Sequence, residues 1–398
     1  MKKISILICL LLISVIAFPQ WIALSNDLPY TPNSTYFTDA NTGYAVGSFG
    51  EIAKTINGGT TWTTCSYGGS PLSSVFFPNV NTGFAVGANG AIAKTNNGGT
   101  TWTYLNSGTI QWLKSVYFTD INTGYAVGTL GTILKTINGG TTWDTLSSGI
   151  TDVLNSVYFP NSSTGYVVGV YGILLKTINS GMTWTYIWTG QLYELYSVYF
   201  TDINTGYVVG DNGTILKTTN GGTSWTTLTS GTTETLFSVT FPSANIGYAV
   251  GTYGTILKTT NEGTSWTTQP SGTSFQLYSV YFTDVNTGYI VGNGNYGTIL
   301  KTTDGGGFPF PVGTNNLLSQ SITLKIYANP TSDYLTIETS ATPVNSQLSI
   351  INLNGQEVLA HQITEPKTQI DINNLPSGVY FVRLSNGRTL DVGKFVKQ

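Results

Sequence analysis

Tryptophans recur along this chain at Trp62, Trp102, Trp143, Trp184, Trp225 and Trp266, at intervals of 40, 41, 41, 41 and 41 residues. Lysines keep the same beat at Lys54, Lys94, Lys135, Lys176, Lys217, Lys258 and Lys301, and so do glycines from Gly43 to Gly288. A repeat of this length is a unit that buries its apolar face against copies of itself. The unit reads S-V-Y-F, then T-G-Y-A-V-G, then G-T-I-L-K-T, then T-T-W-T-T-L. Each piece is a short run of β-formers between Gly or Asn turns, which makes four antiparallel strands. No segment keeps a 3.6-residue period, so a helical solenoid is excluded. Four strands every ~40–45 residues describe a propeller blade.

The blade count follows from the markers. Lysine and glycine give seven copies, but the tryptophan strand gives six, because the seventh unit runs into Gly307, Phe308 and Pro309. Trp21 stands 16 residues before Phe37, as Trp225 stands 16 before Phe241. The segment Trp21–Leu24 is therefore expected to pair near Lys301, complete the seventh blade and close the ring. Closure removes open sheet edges, which otherwise invite aggregation.

The turn before each tryptophan has the form Thr-x-Asn-x-Gly-x-Thr/Ser-Trp, as in Thr136, Asn138, Gly140, Thr142 and Trp143. Asn bonds its own backbone in such turns, Gly takes positive φ, and Trp packs between blades. This turn resembles the Asp-box hairpin of sialidase-type propellers, with Asn in place of Asp except at Asp304. The whole unit over residues 21 to about 308 is similar to repeats of the photosystem II assembly-factor family. The arginine-rich surface of the photosynthetic members is missing, so their partner is not implied here.

Beyond Asp304 the repeat stops. Gly305–Gly307, Pro309, Pro311 and Asn315–Gln320 read as a linker. A second β pattern follows, with Ile326-Tyr327-Ala328-Asn329-Pro330, Leu335, Ile350 to Gly355, Leu375 to Leu384 and Lys394-Phe395-Val396-Lys397. Asn354-Gly355 is a hairpin turn signal. In this order the pieces resemble the type A sorting domain of type IX secretion. The resemblance implies a small β-sandwich read by an outer-membrane translocon, removal by a sortase-like peptidase, and attachment of the cargo to surface lipopolysaccharide.

The expected fold is all-β: a seven-bladed β-propeller closed by its N-terminal strand, plus a small C-terminal β-sandwich. Residues 1–20, with Lys2, Lys3 and the apolar run Ile4 to Phe18, read as a secretory signal peptide cleaved near Gln20–Trp21. The propeller is expected over 21–308, the linker over 309–321 and the sorting domain over 322–398. No later segment reads as membrane-spanning. Cys65 would be left alone once the signal and Cys9 depart, so no disulfide is expected.

Composition narrows the chemistry. Only 9% of residues are charged, the net charge is −3, and the two arginines are Arg383 and Arg388. Nucleic-acid binding needs cation clusters that are missing here. The one histidine, His361, lies in the sorting domain, so the propeller has no triad base and no His–Cys metal cluster. A sialidase site would need arginines. Asp39, Asp120, Asp202 and Asp284 share one repeated turn position and read as turn elements, with a calcium loop disfavoured because the bidentate Glu is missing. Glu51, Glu194, Glu234 and Glu262 do not repeat in register. The seven lysines read as structural, with stems buried and heads reaching water at the blade end. No cofactor is implied.

Residues that hold a fold recur in a repeat, whereas residues that hold a ligand need not. The position before the strand-opening Ser is Asn33, Ser73, Lys114, Asn155, Tyr196, Phe237 and Tyr278. Loops leading there add Trp112, Trp188, Tyr193 and Phe275, and the V-G-x-x-G hairpins add Phe49, Tyr171, Tyr253 and Tyr296. Strand order puts all of these on one face of the ring. Of these, Trp112, Tyr171, Trp188, Tyr193, Tyr196, Phe237, Tyr253, Tyr278 and Tyr296 are the candidate ligand-binding set. Aromatic, weakly charged faces suit glycan or peptide segments. Together with the sorting-domain resemblance, this implies a non-catalytic, adhesin-like binding or scaffold protein, secreted or anchored on the outer surface of a Gram-negative bacterium, with the type IX machinery as its export partner. An extracellular glycosidase on the same fold and a purely structural coat protein are the alternatives.

Overall fold

The computed structural model describes residues 21–24, 28, 30–66, 69–294, 297–307, 324–327, 329–339, 346–352, 357–385 and 390–398. The expected signal peptide, the linker over 309–321, the Asn354-Gly355 turn and Tyr296 lie outside them. The chain divides into two compact units, Met1–Phe310 and Pro311–Gln398.

The first unit contains seven four-stranded antiparallel sheets. Blade 3 is typical, running Leu113–Phe118, Gly124–Gly128, Ile133–Thr136 and Asp144–Leu146 from the innermost strand outwards. The innermost strands of successive blades pack side by side, and that of blade 7 packs on that of blade 1, so the ring is closed. Blade 7 takes its outermost strand from the N-terminus: Ile22 pairs with Lys301, Ala23 with Leu300, and the Leu24 N–H donates to Ile299 O at 2.9 Å.

The motif letters are explained at the blade interfaces. The Phe of S-V-Y-F lies 3.8–4.2 Å, ring to ring, from the aromatic of T-G-Y in the preceding blade, at all seven interfaces. On its other side the Phe leaves room only for glycine. A Cβ added to Gly124 would sit 2.5 Å from the Phe118 ring. The tryptophan of the same blade meets this Phe edge-on at 5.8–6.1 Å. Trp21 does so with Phe282, as Trp62 does with Phe37 and Trp266 with Phe241. It therefore occupies the place that the repeat arithmetic assigns to it.

Two hydrogen-bond rings join the blades. The lysine ring corrects an expectation. Each repeat lysine reaches a carbonyl in the next blade's box turn rather than water, at 2.6–2.8 Å, from Lys54 to Gly98 O round to Lys301 to Gly58 O. In six blades the T-G-Y hydroxyl donates to the same carbonyl; blade 2 has Phe84 there. The serine ring lies further in. A bulge before the Ser of every innermost strand, after Leu in six blades and after Pro32 in blade 1, turns Ser towards the neighbouring blade. Its Oγ accepts the N–H of that blade's innermost strand at 3.3–3.4 Å, from Ser34 with Val75 round to Ser279 with Thr35. Each innermost strand is a sheet edge, and the serine satisfies a donor that this edge would otherwise leave unpaired.

The box turn behaves as its sequence implies. Asn138 Oδ1 accepts the Thr142 N–H at 3.0 Å while its amide donates to Thr142 Oγ1 at 2.9 Å. On the same side of the ring, Asp39, Asp120, Asp202 and Asp284 each accept two backbone N–H groups, and Asn79 and Asn161 do the same work in blades 2 and 4. Burial pushes these Asp carboxyls up, but the backbone donors outweigh it and hold them below the ordinary value.

The second unit is a sandwich of a three-stranded and a four-stranded sheet. Leu335 and Ile337 from one sheet and Leu348, Ile350, Val382, Leu384 and Phe395 from the other share one buried cluster. The motifs at its two ends meet. Asn329 Oδ1 accepts the Val396 N–H at 2.9 Å and its amide donates to Lys394 O at 3.1 Å. His361 lies exposed on the strand Glu357–Ile363. Among the described residues, no helix is long and apolar enough to cross a membrane.

Candidate ligand-binding face

The innermost strand of each blade runs from the loop that enters the blade towards the Asp-type turn. The entering loops and the hairpins between the second and third strands therefore share one end of the ring. Hydrogen bonds join them directly: Thr129 N–H donates to Trp112 O at 2.9 Å, and Gly131 N–H to Asp152 O at 2.8 Å. We call this end the hairpin face.

At the channel mouth on this face, the structure brings three of the candidate residues together. Tyr196 and Phe237 lie 5.1 Å apart at 74°, and Phe237 and Tyr278 lie 5.5 Å apart at 55°. They form a half-buried aromatic arc across blades 5, 6 and 7. The other half of the mouth is polar. Asn33 and Asn155 donate to the Leu72 and Leu195 carbonyls of the next blades. Lys114 Nζ sits 3.7 Å from the Trp112 ring centroid, and Trp112 Nε1 donates to Ser73 Oγ at 2.7 Å. Burial lowers the Lys114 pKa and the nearby Glu194 partly restores it. Burial, Glu194 and Asp211 all push the Tyr196 hydroxyl up.

Deeper in the channel lies a belt that motif reading treats only as strand pattern. Tyr281, Tyr36, Phe76, Tyr117, Tyr158 and Tyr199 follow one another at 4.8–5.3 Å, and Thr240 interrupts the circle. Tyr158, Tyr199 and Tyr281 donate to Phe carbonyls in the next blade. The in-register S-V-Y-F motif carried the signal for it.

The hairpin tips carry further candidates, and each of the four 3-10 tips packs on the innermost strand of the next blade. Phe49, Tyr171 and Tyr253 have φ of 63°, 55° and 51°, in the left-handed region, and are 64%, 67% and 75% exposed. The same position holds Asn89, Leu130 and Asn212 in blades 2, 3 and 5. Leu130, also exposed, belongs with the aromatic tips and has no aromatic character to reveal it in the sequence. Trp188 and Tyr193 lie on the loop leaving blade 4, where Tyr186 and Leu192 are exposed beside them.

The four out-of-register glutamates have separate environments, although Glu194 and Asp211 both approach the Tyr196 hydroxyl. Glu51 is buried in blade 1, and burial raises its pKa. Glu194 accepts from Asn155 at 3.0 Å, Glu234 from Thr252 at 2.6 Å, and Glu262 lies 3.8 Å from Lys217. Among the described residues, no group of three or more His, Cys, Asp and Glu side chains is placed to hold a metal.

Residues 325–398 match the family model described as a secretion system C-terminal sorting domain. Residues 104–192 and 188–272 each match the model of the photosynthesis system II assembly factor YCF48. The chain carries YCF48-type repeats and a secretion-system sorting domain. The sorting domain marks the chain for type IX export, so the protein is secreted or displayed at the cell surface. Solved structures agree on the fold. YCF48 bound to D1 peptide is 18% identical with a TM-score of 0.62, covering 72% of this chain and 98% of that chain. YCF48 from Cyanidioschyzon merolae is 18% identical with a TM-score of 0.61, covering 71% and 98%. A GH74 enzyme from Niastella koreensis is 15% identical with a TM-score of 0.58, covering 94% of this chain and 74% of that chain. No curated protein matches the chain.

Proposed function

We propose that the exported propeller is a non-catalytic, adhesin-like binding or scaffold protein that takes its ligand on the hairpin face. The observation that carries this reading is the state of the hairpin tips. A bulky L-residue in the left-handed region costs about 1–2 kcal/mol, and Asn or Gly costs less. The repeat uses Asn at this position in two blades, so the relaxed choice is accessible to the fold. Phe49, Tyr171 and Tyr253 take the strained choice and leave most of the ring in water. Folding buries only a minor part of each ring in return, and contact with a partner would repay the rest. YCF48 has been solved bound to D1 peptide, which is consistent with a propeller of this kind serving as a binding module.

The glycosidase alternative draws on the likeness to the GH74 enzyme, which at 15% identity speaks to fold alone. Against it stands the dispersal of Glu51, Glu194, Glu234 and Glu262 among separate partners, since glycoside hydrolysis requires two carboxyl groups flanking one bond.

The test is an array of immobilised glycans and peptides probed with the full mature chain, with soluble product assayed in parallel. Retention without product supports the proposal. Release of reducing sugar that a single Asp or Glu substitution abolishes would overturn it, and inertness across both arrays would favour a structural coat protein.

A further inference from the structure

Resting on that reading, we infer that the hairpin face carries a subsite for a neutral sugar chain in the groove between blades 4 and 5. The groove is shallow and open to solvent, with a volume of about 690 Å³. One wall is the loop leaving blade 4, with Gln191 and Tyr193. The other is the end of the outermost strand of blade 5, with Thr227 and Thr229, and the hairpin tip at Asn212 closes it. Gln191 Nε2 donates to Thr227 Oγ1 at 3.0 Å and ties the two walls together.

Three features select the ligand class. The lining has no charged side chain, so an anionic glycan or a charged peptide finds no counter-ion there. It offers amides and hydroxyls, which match sugar hydroxyls as both donors and acceptors. It also has an aromatic ring in Tyr193, on which the apolar face of a sugar ring can rest. The loop departs from the repeat at these same positions. Where this loop has Trp188, blades 1, 2, 3, 5 and 6 have Ser66, Asn106, Ser147, Thr229 and Pro270. Where it has Gln191, blades 2, 3, 5 and 6 have Thr109, Ile150, Thr232 and Thr273. Tyr186, Trp188, Leu192 and Tyr193 are all exposed within eight residues. That is apolar surface with no packing role, directly beside a polar groove.

The test titrates the full mature chain with uncharged hexasaccharides of glucan, mannan, xylan and chitin type, and with an uncharged Tyr/Ser-rich peptide of similar size. At least one neutral hexasaccharide should bind. Tyr193→Ala and Gln191→Ala should each weaken it about tenfold or more without moving the thermal midpoint, while the tip variant Phe49→Asn, in blade 1 and away from the groove, should weaken it less. If the sugar binds with the wild-type constant to both groove variants, or if only the peptide binds, this inference fails. In that case loss of binding in the tip variants would leave the wider reading standing. If no probe binds and no glycan or peptide on the arrays is retained either, both fail together.

Discussion

Replacing Trp21 with alanine tests whether the N-terminus completes the ring. The indole is 1% exposed and meets Tyr248 at 6.1 Å and 83° and Phe282 at 5.8 Å and 89°. The backbone ladder here is short, two residue pairs and the Leu24 N–H. Side chains must therefore hold the strand in place: Trp21 against blade 6, and Leu28 and Tyr30 in a cluster with Ala53, Val291 and Ile299 of blades 1 and 7. Truncating a buried aromatic to alanine costs about 3–5 kcal/mol. An unfolding entropy of ~2.1 cal/mol/K per residue over roughly 290 residues gives about 0.6 kcal/mol/K, so the thermal midpoint should fall by about 5–8 °C. Trp143→Ala, at an interface inside the ring with the same Phe84 and Phe118 contacts, should fall by a similar amount. Only Trp21→Ala should also expose the strand Thr298–Thr302 to faster amide hydrogen exchange, because only there does the partner strand come loose. A fall below about 1 °C, or unchanged exchange on that strand, would refute the closure reasoning.

Three further outcomes follow from the interfaces. Lys135→Met removes a 2.7 Å bond to Ser180 O in the next blade and should cost about 1–2 kcal/mol in urea denaturation, where a solvent-facing lysine would cost almost nothing. Burial pushes the Tyr44, Tyr125, Tyr166 and Tyr289 hydroxyls up to about 12, against about 10 in the unfolded chain. The fold retains these protons, so stability should be level below pH 10 and fall between about pH 10 and 12; ionisation of these four rings near pH 10 with no loss of fold, followed ring by ring by NMR, would contradict this. Deleting residues 322–398 should leave the propeller folded but confined to the periplasm by cell fractionation, and its appearance at the surface would count against the sorting role.

Much of the fold was legible because a repeat prints its own alignment. The missing seventh tryptophan and the 16-residue spacing from Trp21 to Phe37 gave blade count and closure before any coordinate. The box turn was equally plain, since Asn138 acts within four residues of itself. What stayed hidden was whatever couples one blade to the next. Ser156 serves the Val198 N–H about one repeat away, through a bulge that strand alternation does not show. Lys135 looked like a snorkelling side chain because its acceptor is a carbonyl, and carbonyls have no letter in a sequence. The candidate face was half legible. Departures from the repeat pointed to Tyr196, Phe237 and Tyr278, and the structure groups them. They did not single out the hairpin tips, which are distinguished by φ, and they passed over Leu130 because it is not aromatic.

We propose that the hairpin tips are kept for binding and not for folding. It is tested most directly by the triple variant Phe49→Asn, Tyr171→Asn, Tyr253→Asn, measured for thermal midpoint and for binding to whichever array ligand the wild type retains. Relieving three left-handed bulky residues should leave the midpoint unchanged or raise it, as stability gains up to about 1–2 kcal/mol per site, while binding falls about tenfold or more. A lowered midpoint, or wild-type binding in the triple variant, would contradict the account.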